Sequence, residues 1–321
     1  MRWVVIGSSG YIGSALCRFL VQAGEQVLSI SRREFGPANC VHRQVTIFDA
    51  ARFADVFQAG DIIVYAAGLS SSSDCRNDPE LAELLNCRLP SQLLNLADTA
   101  NAEQFLYLSS IKALRPPAGE VATEESGEPA TDPYGGSKWR AEQRLRSRSL
   151  GIRVNVLRPA AVYGSAAVYE EGAIDSSACE ATRTASPPPK RALLWKSRLR
   201  TWSRVVPFVP ATGYRSFVAL EDLLSAIVCV GKSDCRGEVF IVAEPDYYNL
   251  ASISTAATGR SIKSSQIATR LALLPFRLLS VMGVKAGFVD VERSELYSAR
   301  HLKARLNWQP RHRYSQFLGE E

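Results

Sequence analysis

The apolar run Trp3–Ile6 ends in Gly7-Ser8-Ser9-Gly10-Tyr11-Ile12-Gly13, and an amphipathic stretch follows over Ile12–Ala23. Glycines at these three places permit a tight turn, a close approach of backbone to a pyrophosphate, and close packing of the next helix on the strand. The first N–H groups of that helix have no intrahelical partner, and its dipole favours negative charge there. Alone, such glycines mark only a turn. Directly after a first strand and opening a helix, they point to dinucleotide binding, with Gly7, Gly10, Tyr11, Ile12 and Gly13 as the phosphate loop.

This start predicts an α/β chain: a Rossmann-type doubly wound parallel sheet followed by a smaller mixed C-terminal substrate-binding region. Further strands are expected at Gln26–Ile30, Ile62–Ala66, Gln104–Leu108 and Arg153–Leu157, with another at Glu238–Val242. Helices are expected at Leu81–Thr99 and Tyr134–Leu150. The nearly continuous apolar run Ile62-Ile63-Val64-Tyr65-Ala66 suits a sheet covered on both faces. The domain division that follows is 1–164 for the dinucleotide-binding unit, with 216–242 returning to it. Residues 165–215 and 243–321 then form the substrate-binding region.

The second half is less regular. Residues 165–190 are rich in alanine and serine, include Pro187-Pro188-Pro189, and read as a long flexible insertion. From Ala181 to Leu220 no acidic residue occurs, whereas Arg183, Lys190, Arg191, Lys196, Arg198, Arg200, Arg204 and Arg215 do. Trp195, Leu199, Trp202 and Val206 recur there at helical spacing before Pro207. A solvated basic face is the first reading, and peripheral contact of 190–204 with an anionic membrane surface the second. Ile267–Val284 is apolar but interrupted by Arg270, Pro275 and Arg277, as in a packed core segment.

Composition excludes several classes. Lys+Arg 38 against Asp+Glu 32 gives a net charge of +6, which suits anionic ligands but is too small and dispersed for nucleic-acid binding. The 7 cysteines include no CxxC pair, and His42, His301 and His312 show no metal-ligand spacing. No metal is therefore expected. Reduced thiols and a strand beginning right after Met1 suggest a cytoplasmic protein without a signal peptide. No uninterrupted apolar run of about 18 residues is present, so no membrane span is expected.

Past the second strand, about 20 residues beyond the glycines, an NAD site normally carries an acidic residue for the ribose hydroxyls. Ser31-Arg32-Arg33 stands there instead. A hydroxyl and guanidinium forks suit a 2′-phosphate, so NADP(H) is the favoured cofactor and NAD(H) the alternative.

Tyr134-Gly135-Gly136-Ser137-Lys138 places a phenol and an ammonium one helical turn apart. A neighbouring cation favours the phenolate, so Tyr134 is expected to titrate below its usual value near 10 and to exchange a proton with a carbonyl or hydroxyl oxygen. Leu106-Tyr107-Leu108-Ser109-Ser110 brings two hydroxyls to a strand's carboxyl end, where ligands bind in open α/β sheets. Ser110 is the candidate for orienting the reacting oxygen. Ser109 reads equally as a structural hydroxyl and as cofactor lining.

These motifs together resemble the extended short-chain dehydrogenase/reductases of the nucleotide-sugar epimerase, dehydratase and reductase group. The matching pieces are GSSGYIG (7–13), Asp49, YAAG (65–68), Asn86, LSSIKA (108–113), DPYGGSKWRAE (132–142) and LRPAAVYG (157–164). YRSFVALEDLLSAI (214–227) and LNWQP (306–310) continue the pattern. The resemblance implies that Ser110, Tyr134 and Lys138 are catalytic, with Tyr134 and Lys138 also at the cofactor and Ser110 also at the substrate. It implies that Asp49 holds the adenine amino group, that Ala66, Ala67, Gly68 and Pro159 line the cofactor, and that Arg215 meets a diphosphate. It further implies a nucleotide-sugar substrate, a UDP-sugar by likeness to enzymes acting on UDP-N-acetylhexosamines. Helices 81–99 and 134–150 are candidates for a homodimer bundle.

Three readings follow: a reductase of a UDP-4-keto-6-deoxy-hexosamine, a 4-epimerase retaining NAD, and a catalytically silent nucleotide-binding protein or non-sugar carbonyl reductase. Dehydration is disfavoured, because Ile111-Lys112 stands where an acidic pair would be needed.

Overall fold

The computed structural model describes residues 1–47, 49–147, 150–164, 208–267, 269–270 and 292–319. The 165–190 insertion, the basic segment with Trp195–Val206 and most of Ile267–Val284 lie outside them.

Seven strands form the central sheet: β1 (Arg2–Ile6), β2 (Gln26–Ser31), β3 (Val41–Gln44), β4 (Ile62–Tyr65), β5 (Gln104–Leu108), β6 (Arg153–Pro159) and β7 (Val239–Val242). Their order is β7-β6-β5-β4-β1-β2-β3 and every pairing is parallel. From β1 the chain builds outward on one side, then crosses to β4 and builds on the other. The connections diverge between β1 and β4, and a crevice opens at their carboxyl ends.

Alternation along the strands supplies both faces. Trp3 and Val5 pack with Leu16, Leu20, Leu223 and Ile227 from helices α1 (Tyr11–Gln22) and, later in the chain, Leu220–Gly231. Val4 and Ile6 face the other way, onto Leu93, Leu94 and Leu145 of α2 (Leu89–Thr99) and α3 (Pro133–Arg146). All residues of β4 and β5 are buried, as a doubly covered sheet requires.

The helix expected over Leu81–Thr99 is not uniform. A short helix Pro79–Glu83 runs through a π turn at Leu84–Arg88 into α2. Pro90 explains the turn: it has no N–H for the carbonyl of Asn86, and its ring crowds that carbonyl. The Tyr107 hydroxyl donates to it instead, at 2.6 Å. Helix α3 starts where Asp132 caps it, accepting from the N–H groups of Tyr134 and Gly135, with Pro133 at the first position. It ends at Arg146, short of the expected Leu150.

Beyond the sheet, Ala161–Tyr163 pairs with Arg215–Ala219, which pairs in turn with Tyr247–Tyr248. Tyr163, Phe217, Tyr248 and Tyr314 pack there around Glu244, which is 1% exposed. Glu244 accepts from the Tyr163 hydroxyl at 3.3 Å and from the Tyr314 N–H at 3.0 Å. Burial nonetheless pushes its carboxyl up to about 7. An unfolded Glu titrates near 4.3. The folded state therefore holds this proton more tightly, and its stabilising effect is lost as pH rises through about 7. Melting temperature should fall between about pH 5 and about pH 8, and should fall less steeply in Glu244→Gln. Equal pH dependence in the two proteins would rule this source out.

Candidate active site

At the end of β1 the chain turns through Gly7, whose φ is +92°. A Cβ there would sit 2.6 Å from the Ala67 nitrogen, and one at Gly13 would sit 2.3 Å from the Gly7 oxygen. Gly10 donates to the Gly7 carbonyl at 3.0 Å and forms the N-cap of α1. Gly68 has φ +138°, and a Cβ on it would collide with Asn86 Oδ1. Ser8 Oγ is buried without a hydrogen-bond partner among the described residues. A side-chain-free cradle, an orphaned hydroxyl and a helix N-terminus are together the features a dinucleotide pyrophosphate fits. Ile12 packs against the core below it, and the Tyr11 hydroxyl donates to the Gly164 carbonyl at 2.8 Å.

Ser31 closes β2, its hydroxyl accepting from the Arg33 N–H at 3.2 Å. Both Arg32 and Arg33 are exposed. Their backbone is braced from β3: Gln44 donates to the Arg32 carbonyl at 3.1 Å, and the His42 ring links Ser29 Oγ (2.8 Å) to the Arg33 carbonyl (3.0 Å). Exposed Asp49 accepts from the Ala51 N–H and so caps a short 3-10 turn.

Across the crevice, Ser110 follows β5 and Tyr134 occupies the first turn of α3. The Ser110 hydroxyl lies beside that of Tyr134, close enough to favour its phenolate. One turn on, the Lys138 ammonium donates to the Leu108 carbonyl at 2.8 Å and lies 4.8 Å from the centre of the Tyr107 ring. Burial lowers the Lys138 pKa to about 8, against the opposing pull of the Glu142 carboxylate. Burial also raises Tyr134 above its ordinary value, and the neighbouring Ser110 hydroxyl only partly offsets this. By the protein's own side chains the phenol is not drawn down: desolvation, which a sequence pattern does not reveal, outweighs the pull of its neighbours.

Ser109 is 5% exposed, and its hydroxyl donates to Glu142, which gives the structural one of its two readings a partner. Ala66 and Ala67 flank the cradle, with the Ala66 N–H bonded to the Ile6 carbonyl at 2.9 Å. Pro159 ends β6 opposite Val242. Arg215 donates to the carbonyls of Tyr214 and Arg293, and its Nε lies 3.8 Å from a carboxylate oxygen of Glu295. The acid-free stretch around Arg215 therefore gains its counter-charge from a distant part of the chain. Two neighbours escaped the sequence reading. Cys75 acts electrostatically on both Tyr134 and Lys138. Glu142 carried a legible signal, since it repeats the four-residue spacing of Tyr134 and Lys138.

Residues 3–243 match the NAD dependent epimerase/dehydratase family. A probable low-salt glycan biosynthesis reductase from Haloferax volcanii is 28% identical over 166 residues, covering 50% of this chain and 53% of that protein. The chain thus spans about half the length of that relative. A UDP-glucose 4-epimerase from Lactobacillus helveticus is 23% identical over 324 residues, covering 97% of this chain and 93% of the relative. In structure, the UDP-glucose 4-epimerase of Thermotoga maritima, solved with UDP-glucose, superposes with a TM-score of 0.71 at 17% identity. That match covers 99% of this chain and 96% of the other, and at such identity it speaks for the fold.

Proposed function

The chain belongs to the NAD-dependent epimerase/dehydratase family, and from that premise we propose that it moves hydride at C4 of a nucleotide sugar, as an NADPH-dependent reductase of a UDP-4-keto-6-deoxy-hexosamine. The observation that carries the reading is the meeting of Ser110, Tyr134 and Lys138 beside the glycine cradle at the carboxyl ends of the central strands.

Gly7, Gly10 and Gly13 would hold the pyrophosphate, Ala66–Gly68 and Pro159 the flank of the cofactor, and Ser31, Arg32 and Arg33 its ribose 2′-phosphate. When bound, the cofactor supplies the hydride. Tyr134 donates its proton to the C4 oxygen as the carbonyl is reduced, and Ser110 holds that oxygen by a hydrogen bond. Lys138, charged below about pH 8, stabilises the phenolate that Tyr134 becomes. Arg215 meets the diphosphate in place of its contact with Glu295. Ile111-Lys112 after Ser110 leaves no acid to expel a C6 hydroxyl, which argues against dehydration.

A 4-epimerase is the second reading, favoured by the likeness to a UDP-glucose 4-epimerase along nearly the whole chain. The same residues would then act in both directions on a cofactor that never leaves. The state of the purified protein separates the two. A reductase should purify largely free of nucleotide and consume one NADPH per UDP-4-keto-6-deoxy-hexosamine reduced. Tightly held NAD⁺, with C4 inversion of an ordinary UDP-hexosamine and no net redox change, would establish the epimerase instead.

A further inference from the structure

Tyr134, Lys138 and Glu142 lie at four-residue spacing along one face of α3, and that face meets the end of β5. The two elements meet at three successive places. Tyr134 lies beside Ser110, Lys138 donates to the Leu108 carbonyl, and Glu142 accepts from the Ser109 hydroxyl. Only the third of these lies outside the groups assigned to the reaction. Glu142 is 0% exposed, and it is also gripped from β6 by Arg158, whose Nε lies 3.0 and 3.1 Å from the two carboxylate oxygens. Arg158, 2% exposed, donates onward to the Glu124 carbonyl at 2.6 Å, and the Glu124 carboxylate accepts from the Ile241 N–H at 2.9 Å. A chain of polar contacts, buried at Glu142 and Arg158 and half-buried at Glu124, thus runs from β7 to the residue next to Ser110.

We propose that Glu142 is a positioning residue for this site: through Ser109 and Arg158 it fixes the strand end that carries Ser110 and the Leu108 carbonyl against the helix that carries Tyr134 and Lys138. The inference rests on the reading of those three residues as the proton-handling group. A carboxylate buried this deeply costs several kcal/mol to desolvate, and a well-packed apolar residue would pin α3 to the sheet equally well. What an apolar residue would not do is set the hydroxyl register of Ser109 and supply a negative charge behind Lys138. The groups facing that ammonium are Glu142 on its own helix, Tyr107 and the Leu108 carbonyl from β5, and Cys75 from the helix Ser72–Asn77. Of these, Glu142 is the carboxylate.

The test uses the full chain and two variants. Glu142→Gln/Arg158→Gln removes both buried charges together, so neither is left unpaired. Ser109→Ala removes only the tie to β5 and keeps the ion pair. Two quantities are read: kcat and KM with NADPH and the ketosugar, and the titration of Lys138 followed by its ¹³Cε resonance without substrate. For the double variant, kcat should fall about tenfold or more with KM for NADPH within about twofold, as a misplaced reacting group requires. Its Lys138 midpoint should move to lower pH by about half a unit or more. For Ser109→Ala, kcat should fall about threefold or more with the Lys138 midpoint unmoved. Should the double variant not fold, Ser109→Ala decides alone. Parental kcat in the folded variants, with an unmoved Lys138 midpoint in the double variant, would overturn the proposal. Failure of the parent protein to reduce the ketosugar would count against the functional reading only, because the Lys138 titration is read without substrate.

Discussion

Replacing Tyr134 by Phe is expected to cut turnover by about 10²-fold or more and to leave cofactor binding nearly unchanged. The ring is half-buried at the start of α3, and Phe keeps its packing. The lost group is the hydroxyl that lies beside Ser110. Without it, Ser110 loses the hydroxyl proposed to hand a proton to the C4 oxygen. Lys138 is no substitute, because its ammonium is held on the Leu108 carbonyl. Binding should survive because the glycine cradle is built from β1, α1 and the segment after β4, not from α3. The check is steady-state turnover alongside direct titration of the cofactor. A variant keeping more than about half of parental turnover would remove Tyr134 from the chemistry.

Neutralising Arg32 and Arg33 together should weaken NADPH by about 1.5–3 kcal/mol, the scale of charge-assisted hydrogen bonds, and should barely change NADH. The structure gives this prediction its shape. The loop backbone is fixed independently of the guanidinium groups, by Ser31 Oγ on the Arg33 N–H, Gln44 on the Arg32 carbonyl and His42 on the Arg33 carbonyl. Loss of the charges should therefore not collapse the loop. Binding isotherms for both nucleotides, measured at one salt concentration, are the test. Equal weakening of NADPH and NADH would mean that the arginines act on the adenosine or on the loop, not on a 2′-phosphate.

The doubly wound sheet was legible because its signals are local. Glycines directly after an apolar strand, and fully apolar runs at β4 and β5, each follow from contacts within a few residues. The spacing of Tyr134 and Lys138, and a hydroxyl at a strand's end, were legible for the same reason. What depended on distant residues was not. The π turn needed Pro90 to be read together with Tyr107, which caps the freed Asn86 carbonyl from β5. Ser109 was ambiguous until Glu142 was seen to take its hydroxyl. The direction of the Tyr134 shift depends on burial, a property of packing rather than of the YxxxK pattern. Arg215 looked like a cation with no counter-charge because Glu295 is remote in sequence.

Isotopic transfer tests hydride movement at C4 most directly. The protein is given NADPH deuterated at nicotinamide C4, separately on each face, with a UDP-4-keto-6-deoxy-hexosamine, and the product sugar is analysed by NMR. Deuterium should appear at sugar C4 from one of the two cofactor epimers, in step with NADPH oxidation, and Tyr134→Phe should slow both together. Oxidation of NADPH with no deuterium at C4, or a C4 hydrogen drawn from solvent, would contradict the proposed chemistry.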